Sequence, residues 1–458
     1  MRRADASQSP SNEISAIRSH RISVSIELMP PDIFLVTADS LRADHCGWIG
    51  DESLTPALDD LAASSIQYST AIAPGPRTPA SIPVSHTGSH YPKNKHLITE
   101  LDERIQRIKN HIFQTEPISK QLQDAGYTTV GITANPWTST RTNFDTGFDE
   151  FYEVGREGGE IHSIFQGTPL STPARLFDMW YNKDRWFTHW RTFYDTIQSV
   201  IDRIDEPVFV WIFFLDSHNP YLIPRADRDE SSTLSMYSSV YRANDVLNRS
   251  DGLSRFNDSL PDRTLEKLQA AYRDTVRSTD KFVARLVSDI GDDSVLVFHA
   301  DHGEAFGEHG TMGHQSVLYE ENIHVPLLIH GVEQDATVDK PVSLSQIPSI
   351  INSVAVEGSF DPTAPTTAYA VSKTLDDSTI SIRGDRWKYI AEETDELLFD
   401  LSEDPGEQTD VSDERPEILA RCRERVTEFY DSCGSGDPTV DVTETEQLKD
   451  HLRSLGYK

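Results

Sequence analysis

The chain has 458 residues and carries 74 acidic side chains against 42 Lys plus Arg, a formal charge of −32. That balance excludes a general nucleic-acid binder, since no basic surface is evident to neutralise phosphates. Most of the positive charge is Arg and Asp is abundant, a pattern that suits high salt, where repulsion between carboxylates is screened; a halophilic cytoplasm is the expectation.

Residues 1–30 read as a polar leader with no sustained apolar period and no segment suited to a signal peptide. No run of about 18 apolar residues occurs, so no membrane span is expected. Cys46, Cys422 and Cys433 form no disulfide framework and are expected as free thiols. "PDIFLVTADSLRADHCG" is a buried-type strand, Ile33 to Thr37, running into an acidic turn at Asp39. "TPALDDLAASSI" has helical spacing, with Thr55 placed to cap it before Pro56. "IQYSTAIA" reads as strand, and "EPISKQLQDAGYTTVGITA" as helix, stop at Gly126, then strand. The tryptophan-rich run from Met179 to Asp195 reads as an amphipathic helix covering a sheet, with an aryl- or sugar-binding wall as the alternative. "PVFVWIFFLDSHNPY" is a strongly apolar strand ending in polar residues, followed by a weakly periodic excursion from Leu222 to about Asp262. A long amphipathic helix spans Leu265 to Ile290, and strands follow at Ser294 to His299 and at "VPLLIHG". "LSQIPSIINSV" is helical. Beyond residue 365 the pattern turns to antiparallel strands, with a turn at Gly384-Asp385, and then to the helix "RPEILARCRERVTEFYDS".

Strands alternating with helices predict an α/β fold: a large, mostly parallel sheet between helices, with a smaller C-terminal α+β subdomain. The expected divisions are a leader at 1–30, a catalytic domain at 31–365, the subdomain at 366–435 and an acidic tail at 436–458. In such sheets ligand groups gather beyond the carboxyl ends of strands, where Asp39, His218 and Asp301-His302 all fall. "HADHGEAFGEHGTMGH" packs three acids and four histidines behind an apolar strand, which calls for either a solvated loop or a cation.

Taken together, these stretches resemble the sulfatase family within the alkaline phosphatase superfamily. The resemblance rests on "PDIFLVTADSLRADHCGWIG", on the segment from "TPALDDLAASSI" to "GPRTPASIPVSHTGSHYP", on "DHGEAFGEHGTMGH" with "YEENIHVPLLIHG", and on "RWKYI", "ELLFDLSEDPGE" and "LRSLGY". It implies a metal site of Asp39, Thr78, Asp301 and His302. Carboxylate oxygens with one imidazole suit Mn²⁺, Ca²⁺ or Mg²⁺, and Zn²⁺ stays open. Ser40 stands where many members carry a second aspartate. An alternative second metal site would draw on Asp216, His218 and His314, but the spacing of the first two is narrower than in bimetallic relatives.

The nucleophile motif departs from the family pattern. "Thr78-Pro79-Ala80-Ser81-Ile82" puts threonine where formylglycine would form and isoleucine where an arginine stands. Threonine is not expected to yield formylglycine, so the enzyme ester must be freed by water, which is ordinary chemistry for a phosphoryl group and harder for a sulfuryl group. Phosphate mono- or diester hydrolysis is therefore ranked first and sulfate-ester hydrolysis second. A phospho-head-group transferase and a non-catalytic oxyanion-binding relative stay open. His218 and His314 are the candidate acids for the leaving group. Arg77 and Asn135 are the candidate substrate-binding residues, Arg77 as a replacement charge for the missing arginine. His309 and Glu304 are expected to orient the metal loop, and Glu308 to be solvated. The substrate expected is a small-molecule or glycan ester.

Overall fold

The computed structural model describes residues 30–51, 53–94, 98, 100–154, 188–203, 207–240 and 260–433. The leader up to residue 29, most of the tryptophan-rich run, residues 241–259 of the excursion and the acidic tail lie outside them.

The first strand, β1 (Ile33–Ala38), is buried at every position, as its unbroken apolar run requires of a strand covered on both faces. Helix α1 (Pro56–Ala62) begins with Pro at its first turn and Thr55 at the capping position. The Thr55 hydroxyl does not cap the helix: it donates to Asp59 Oδ1 at 2.9 Å and accepts from the Gly47 amide. Next come β2 (Ile66–Ile72), α2 (Thr78–Thr87), α3 (Leu101–Gln114), α4 (Ile118–Asp124), β3 (Thr128–Thr133), β4 (Glu150–Glu153), α5 (Tyr194–Ile201) and β5 (Val208–Phe214). The expected stop at Gly126 holds: its φ of +96° is left-handed backbone that a Cβ would strain. The long helix α6 (Asp262–Asp289) leads into β6 (Val295–Ala300). The loop behind β6 carries the short strands β7 (Ala305–Phe306) and β8 (Met312–Gly313) and the turn α7 (Glu320–Ile323). The domain closes with β9 (His324–His330), β10 (Ala336–Val338), β11 (Val342–Ser343) and α8 (Ile347–Glu357).

These strands form one nine-stranded sheet in the order β10-β2-β9-β6-β1-β5-β3-β4, with β11 also on β2. All pairs are parallel except those of β9, which runs antiparallel to β2 and β6. The expectation of a mostly parallel sheet is met. The consequence for function is local: β6, β1, β5 and β3 are consecutive and co-directional, so their carboxyl ends open onto one edge of the sheet.

At the described end of the tryptophan-rich run the helix expectation fails. Residues 190–192 form a single 3₁₀ turn, and α5 starts only at Tyr194. Trp190 is buried by edge-on contact with Phe282 and Tyr194, and its indole N–H donates to Ser278 Oγ, so this ring is core rather than a ligand wall.

The C-terminal unit is an antiparallel sheet β12-β13-β14-β15 (Tyr369–Lys373, Ile380–Gly384, Trp387–Ala391, Glu396–Asp400) with helix α9 (Pro416–Ser432) packed on it. A buried ionic knot ties it to the main sheet. Lys388, on β14 and fully buried, lies 2.9 Å from Glu320 and 2.8 Å from Glu407. The three cysteines are free thiols, and among the described residues no helix is long and apolar enough to cross a membrane.

Candidate active site

Four neighbouring strand ends and one helix start build the site. Asp39 follows β1, Asp301 and His302 follow β6, His218 follows β5 and Asn135 follows β3. Thr78 is the first residue of α2, entered from Arg77 in extended conformation, so its hydroxyl sits where helix N–H groups and the helix dipole favour negative charge. Backbone bonds fix the frame: the Asp301 amide donates to Ala38 O and the Asp39 amide to Phe214 O. Ser217 Oγ donates to the Asp39 carbonyl at 2.6 Å, and Ser81 Oγ, one turn into α2, donates to the Asp301 carbonyl at 2.6 Å.

The Thr78 hydroxyl donates to Asp301 Oδ2 at 2.8 Å. Asp301 Oδ1 accepts from the amides of Ser40 and His302 at 3.2 and 2.9 Å. Ser40 reaches this position through a left-handed backbone, φ +60°. Asn135 Nδ2 donates to Asp39 Oδ2 at 2.8 Å and to Thr78 Oγ1 at 3.3 Å. Its amide orientation is set from the other side, where Oδ1 accepts from the Trp137 amide.

His302 supplies the test for a cation. Its Nδ1 bonds the Gly303 carbonyl at 2.9 Å, which places the hydrogen there and leaves the lone pair on Nε2. That nitrogen has no hydrogen-bond partner and faces Asp39 Oδ1 at 3.6 Å and Asp301 Oδ2 at 3.5 Å, with all three residues fully buried. A lone pair turned on two buried carboxylates is repulsive unless a cation lies among them. Burial, followed by the charge of Asp301, pushes the Asp39 carboxyl up to about 6. Burial raises Asp301 to about 7 and lowers His302 to about 4. The donor set therefore fits a divalent metal of oxygen preference. Among the described residues this trio is the one group of three or more metal-type side chains close enough to share an ion.

The remaining candidates lie around this centre. The His314 ring is 4.8 Å from that of His218 and 4.9 Å from that of His302. His314 Nδ1 lies 3.3 Å from Glu304 Oε1, a fully buried carboxylate that the sequence reading placed in the metal loop. Burial is the main cause that holds His302 and His314 below the ordinary imidazole range, and the charge of the half-buried Arg77 is the smallest contributor to each. Ile82, in the place of the family arginine, is fully buried in the hydrophobic core.

Three readings need correction or closure. Glu308 is not simply solvated: it pairs with Arg42 at 2.7 Å and accepts from the Phe306 amide, because the loop folds back over Arg42. His309 binds Glu321 at 2.9 Å and the Glu407 carbonyl at 3.1 Å and stacks on Tyr319, so it fastens the loop to the C-terminal unit. Asp216 does not join His218 and His314 in a second metal site: it turns to the Trp190 amide and lies 3.1 Å from His189 Nε2. Sequence reasoning missed Ser40 as a participant through its amide and Ser81 as a clamp. The helical spacing from Thr78 to Ser81 was the available signal for Ser81; the left-handed turn at Ser40 left none.

The family model described as "Sulfatase" matches residues 31–354. Arylsulfatase K of Bos taurus is 20% identical over 453 residues, covering 85% of this chain and 80% of that protein. Arylsulfatase K of Gallus gallus is 27% identical over 190 residues, 34% of this chain and 35% of that protein, so the aligned part spans about a third of its length. Among solved structures, the phosphonate monoester hydrolase of Agrobacterium radiobacter superposes with a TM-score of 0.65 at 17% identity, covering 88% of this chain and 96% of that one. A 2-O GAG sulfatase superposes with a TM-score of 0.59 at 15% identity, covering 94% and 96%. With the family match running through the strand ends that carry Asp39, Asn135, His218 and Asp301-His302 and the helix start that carries Thr78, the chain belongs to the sulfatase family, a family of ester hydrolases.

Proposed function

We propose that this chain is a metal-dependent hydrolase of phosphate mono- or diesters that uses Thr78 as nucleophile. The observation that carries the reading is the Thr78 hydroxyl at a helix N-terminus, 2.8 Å from Asp301 within the Asp39–Asp301–His302 trio. A divalent cation held by those three residues and the Thr78 oxygen would supply Lewis-acid stabilisation of negative charge. Asp301 holds the Thr78 proton at Oδ2, and Asn135 Nδ2 steadies the same hydroxyl oxygen from the side of Asp39. Thr78 Oγ1 attacks phosphorus, the bond to the leaving oxygen breaks, and His218 or His314 donates a proton to that oxygen. Water then attacks the phosphothreonine ester and restores the hydroxyl. Arg77 balances phosphoryl charge in place of the arginine that Ile82 replaces.

Sulfate-ester hydrolysis through the same groups is the second reading, favoured by the names of the relatives. A paired assay of an aryl phosphate, an alkyl phosphodiester and an aryl sulfate, with Mn²⁺ or Ca²⁺ in high salt, separates the two. Turnover of the sulfate alone overturns the phosphoryl reading. Turnover in the presence of an alcohol, analysed for transfer product, distinguishes hydrolase from transferase.

A further inference from the structure

The small ribbon of β7 and β8 sets two ionisable side chains against each other beside the metal trio. Ala305 pairs with Gly313 and Phe306 with Met312 in antiparallel register. The next position on each arm is Glu304 and His314, so the register that closes the ribbon also brings these two together. Fully buried Asn322 ties both arms at this end: its carbonyl accepts from the Gly303 amide at 2.9 Å, and its Nδ2 donates to the Gly313 carbonyl at 3.2 Å. Gly313 has φ +71°, and a Cβ there would come within 3.1 Å of Glu304 Oε1. Glycine at this position is what lets the carboxyl approach.

The two histidines near the site are backed by different groups. His218 has its Nδ1 against the Asn219 carbonyl at 2.5 Å, an acceptor that orients a ring but can neither give nor keep a proton. His314 has its Nδ1 3.3 Å from Glu304 Oε1, and a carboxyl can do both. Glu304 is wholly shielded from solvent, where a carboxyl is held at least cost as the neutral acid. The His314 ring lies 4.9 Å from that of His302, at the edge of the trio that Thr78 joins. A threonine ester also has to be released by water, so the site needs a group that accepts a proton in its second step.

We propose that Glu304 is the proton partner of His314, and that the pair gives a proton to the leaving oxygen and then takes one from the water that frees Thr78. The proposal rests on Thr78 being the nucleophile, and it selects His314 over His218 for this work. In the first step the Thr78 proton passes to Asp301 Oδ2 as the Oγ1–P bond forms. The bond to the leaving oxygen breaks, and that oxygen takes the electron pair and the hydrogen of His314 Nε2. The hydrogen of Glu304 Oε1 moves to Nδ1. In the second step water oxygen bonds phosphorus and the P–Oγ1 bond breaks, its electron pair returning to Oγ1 with the proton from Asp301. A proton of the water goes to Nε2, and the Nδ1 hydrogen returns to Glu304. Glu304 acts through His314 and is a positioning residue that also stores a proton.

The test compares an activated para-nitrophenyl monoester with an alkyl monoester on the Mn²⁺-loaded full chain, using whichever acid, phosphoric or sulfuric, the parent turns over. Glu304→Gln keeps the shape and cannot pass a proton. It should lower kcat/KM for the alkyl ester by about a hundredfold, and leave the first burst of nitrophenol within about threefold, since nitrophenolate departs without a proton. Later turnover of the nitrophenyl ester should slow, so that the ester on Thr78 accumulates and is read by mass spectrometry. His314→Ala should behave alike, and the double variant should be no worse than either single one. Calorimetry should give Glu304→Gln the Mn²⁺ affinity of the parent. Equal losses for both esters, additive losses in the double variant, or a Mn²⁺ affinity that falls with activity makes Glu304 a packing or metal-loop residue and overturns the proposal. Unmodified Thr78 in every quenched sample refutes the nucleophile instead, and the leaving-group split in kcat/KM still decides the first role of the pair. A parent inert toward both esters overturns the pair together with the proposed function.

Discussion

Replacing Thr78 by valine keeps its β-branched shape and removes one hydroxyl, so it isolates the role of that oxygen. In the folded protein the hydroxyl makes one buried bond to Asp301, 2.8 Å long, and accepts a longer one from Asn135. A hydrogen bond to a charged partner contributes about 1.5–3 kcal/mol, which bounds the stability cost in the metal-free protein. The catalytic cost is of another order. If Thr78 forms the covalent ester, kcat/KM for an aryl phosphate falls by about 10⁴ or more, equivalent to at least about 5 kcal/mol of barrier. The assay pairs denaturant unfolding with steady-state hydrolysis, and mass spectrometry of rapidly quenched parent protein seeks one phosphoryl group on Thr78. Thr78→Ser should retain measurable turnover. If Thr78→Val keeps more than about a hundredth of parental kcat/KM, the hydroxyl is not the nucleophile and the mechanism falls.

Removing metal gives a pH-dependent prediction. Asp39 and Asp301 have carboxyl values raised to about 6 and about 7 when folded, so the metal-free fold binds more protons than the unfolded chain. Their favourable contribution is therefore present at low pH and is lost as pH rises through 6 and 7. Chelated protein should melt lower at pH 8 than at pH 5, Mn²⁺ should raise the melting temperature more at the higher pH, and His302→Ala should weaken that rescue. Asp216 is raised by burial to about 8 with the same sign, so Asp216→Asn should gain melting temperature relative to the parent as pH increases. Lys388→Ala leaves the buried Glu407 without its cation and Glu320 with Arg383, and should cost about 3–5 kcal/mol, read by denaturant unfolding; a loss under about 1 kcal/mol would mean the knot is hydrated. Ile82→Arg should destabilise the chain rather than create a sulfatase site, since that side chain lies wholly in the core; a folded, more active variant contradicts this.

The strands and their order of appearance were legible in the sequence because each is a dense apolar run closed by a turn signal, and a strand covered on both faces must be apolar throughout. Strand ends announced themselves by the switch to Asp39, His218 and Asp301-His302, since charge is expelled from the sheet interior and gathers at its rim. The strand ends that bring Asp39, Asp301 and His302 together were readable for that reason, while their grouping as a candidate metal site and the place of Thr78 came from the family resemblance. Direction in space was not legible. Asp216 and His218 are two residues apart, yet Asp216 turns back to Trp190 while His218 faces His314. Glu308 reads as solvated until the loop brings Arg42 to it across more than two hundred residues of chain. By itself the sequence determined the elements, the family and the chemical types at the strand ends, because these follow from local periodicity and the cost of burying charge. Tertiary structure alone decided which side chains meet, because hydrogen bonds and ion pairs act over about 3 Å, and no local pattern brings residues hundreds of positions apart to that range.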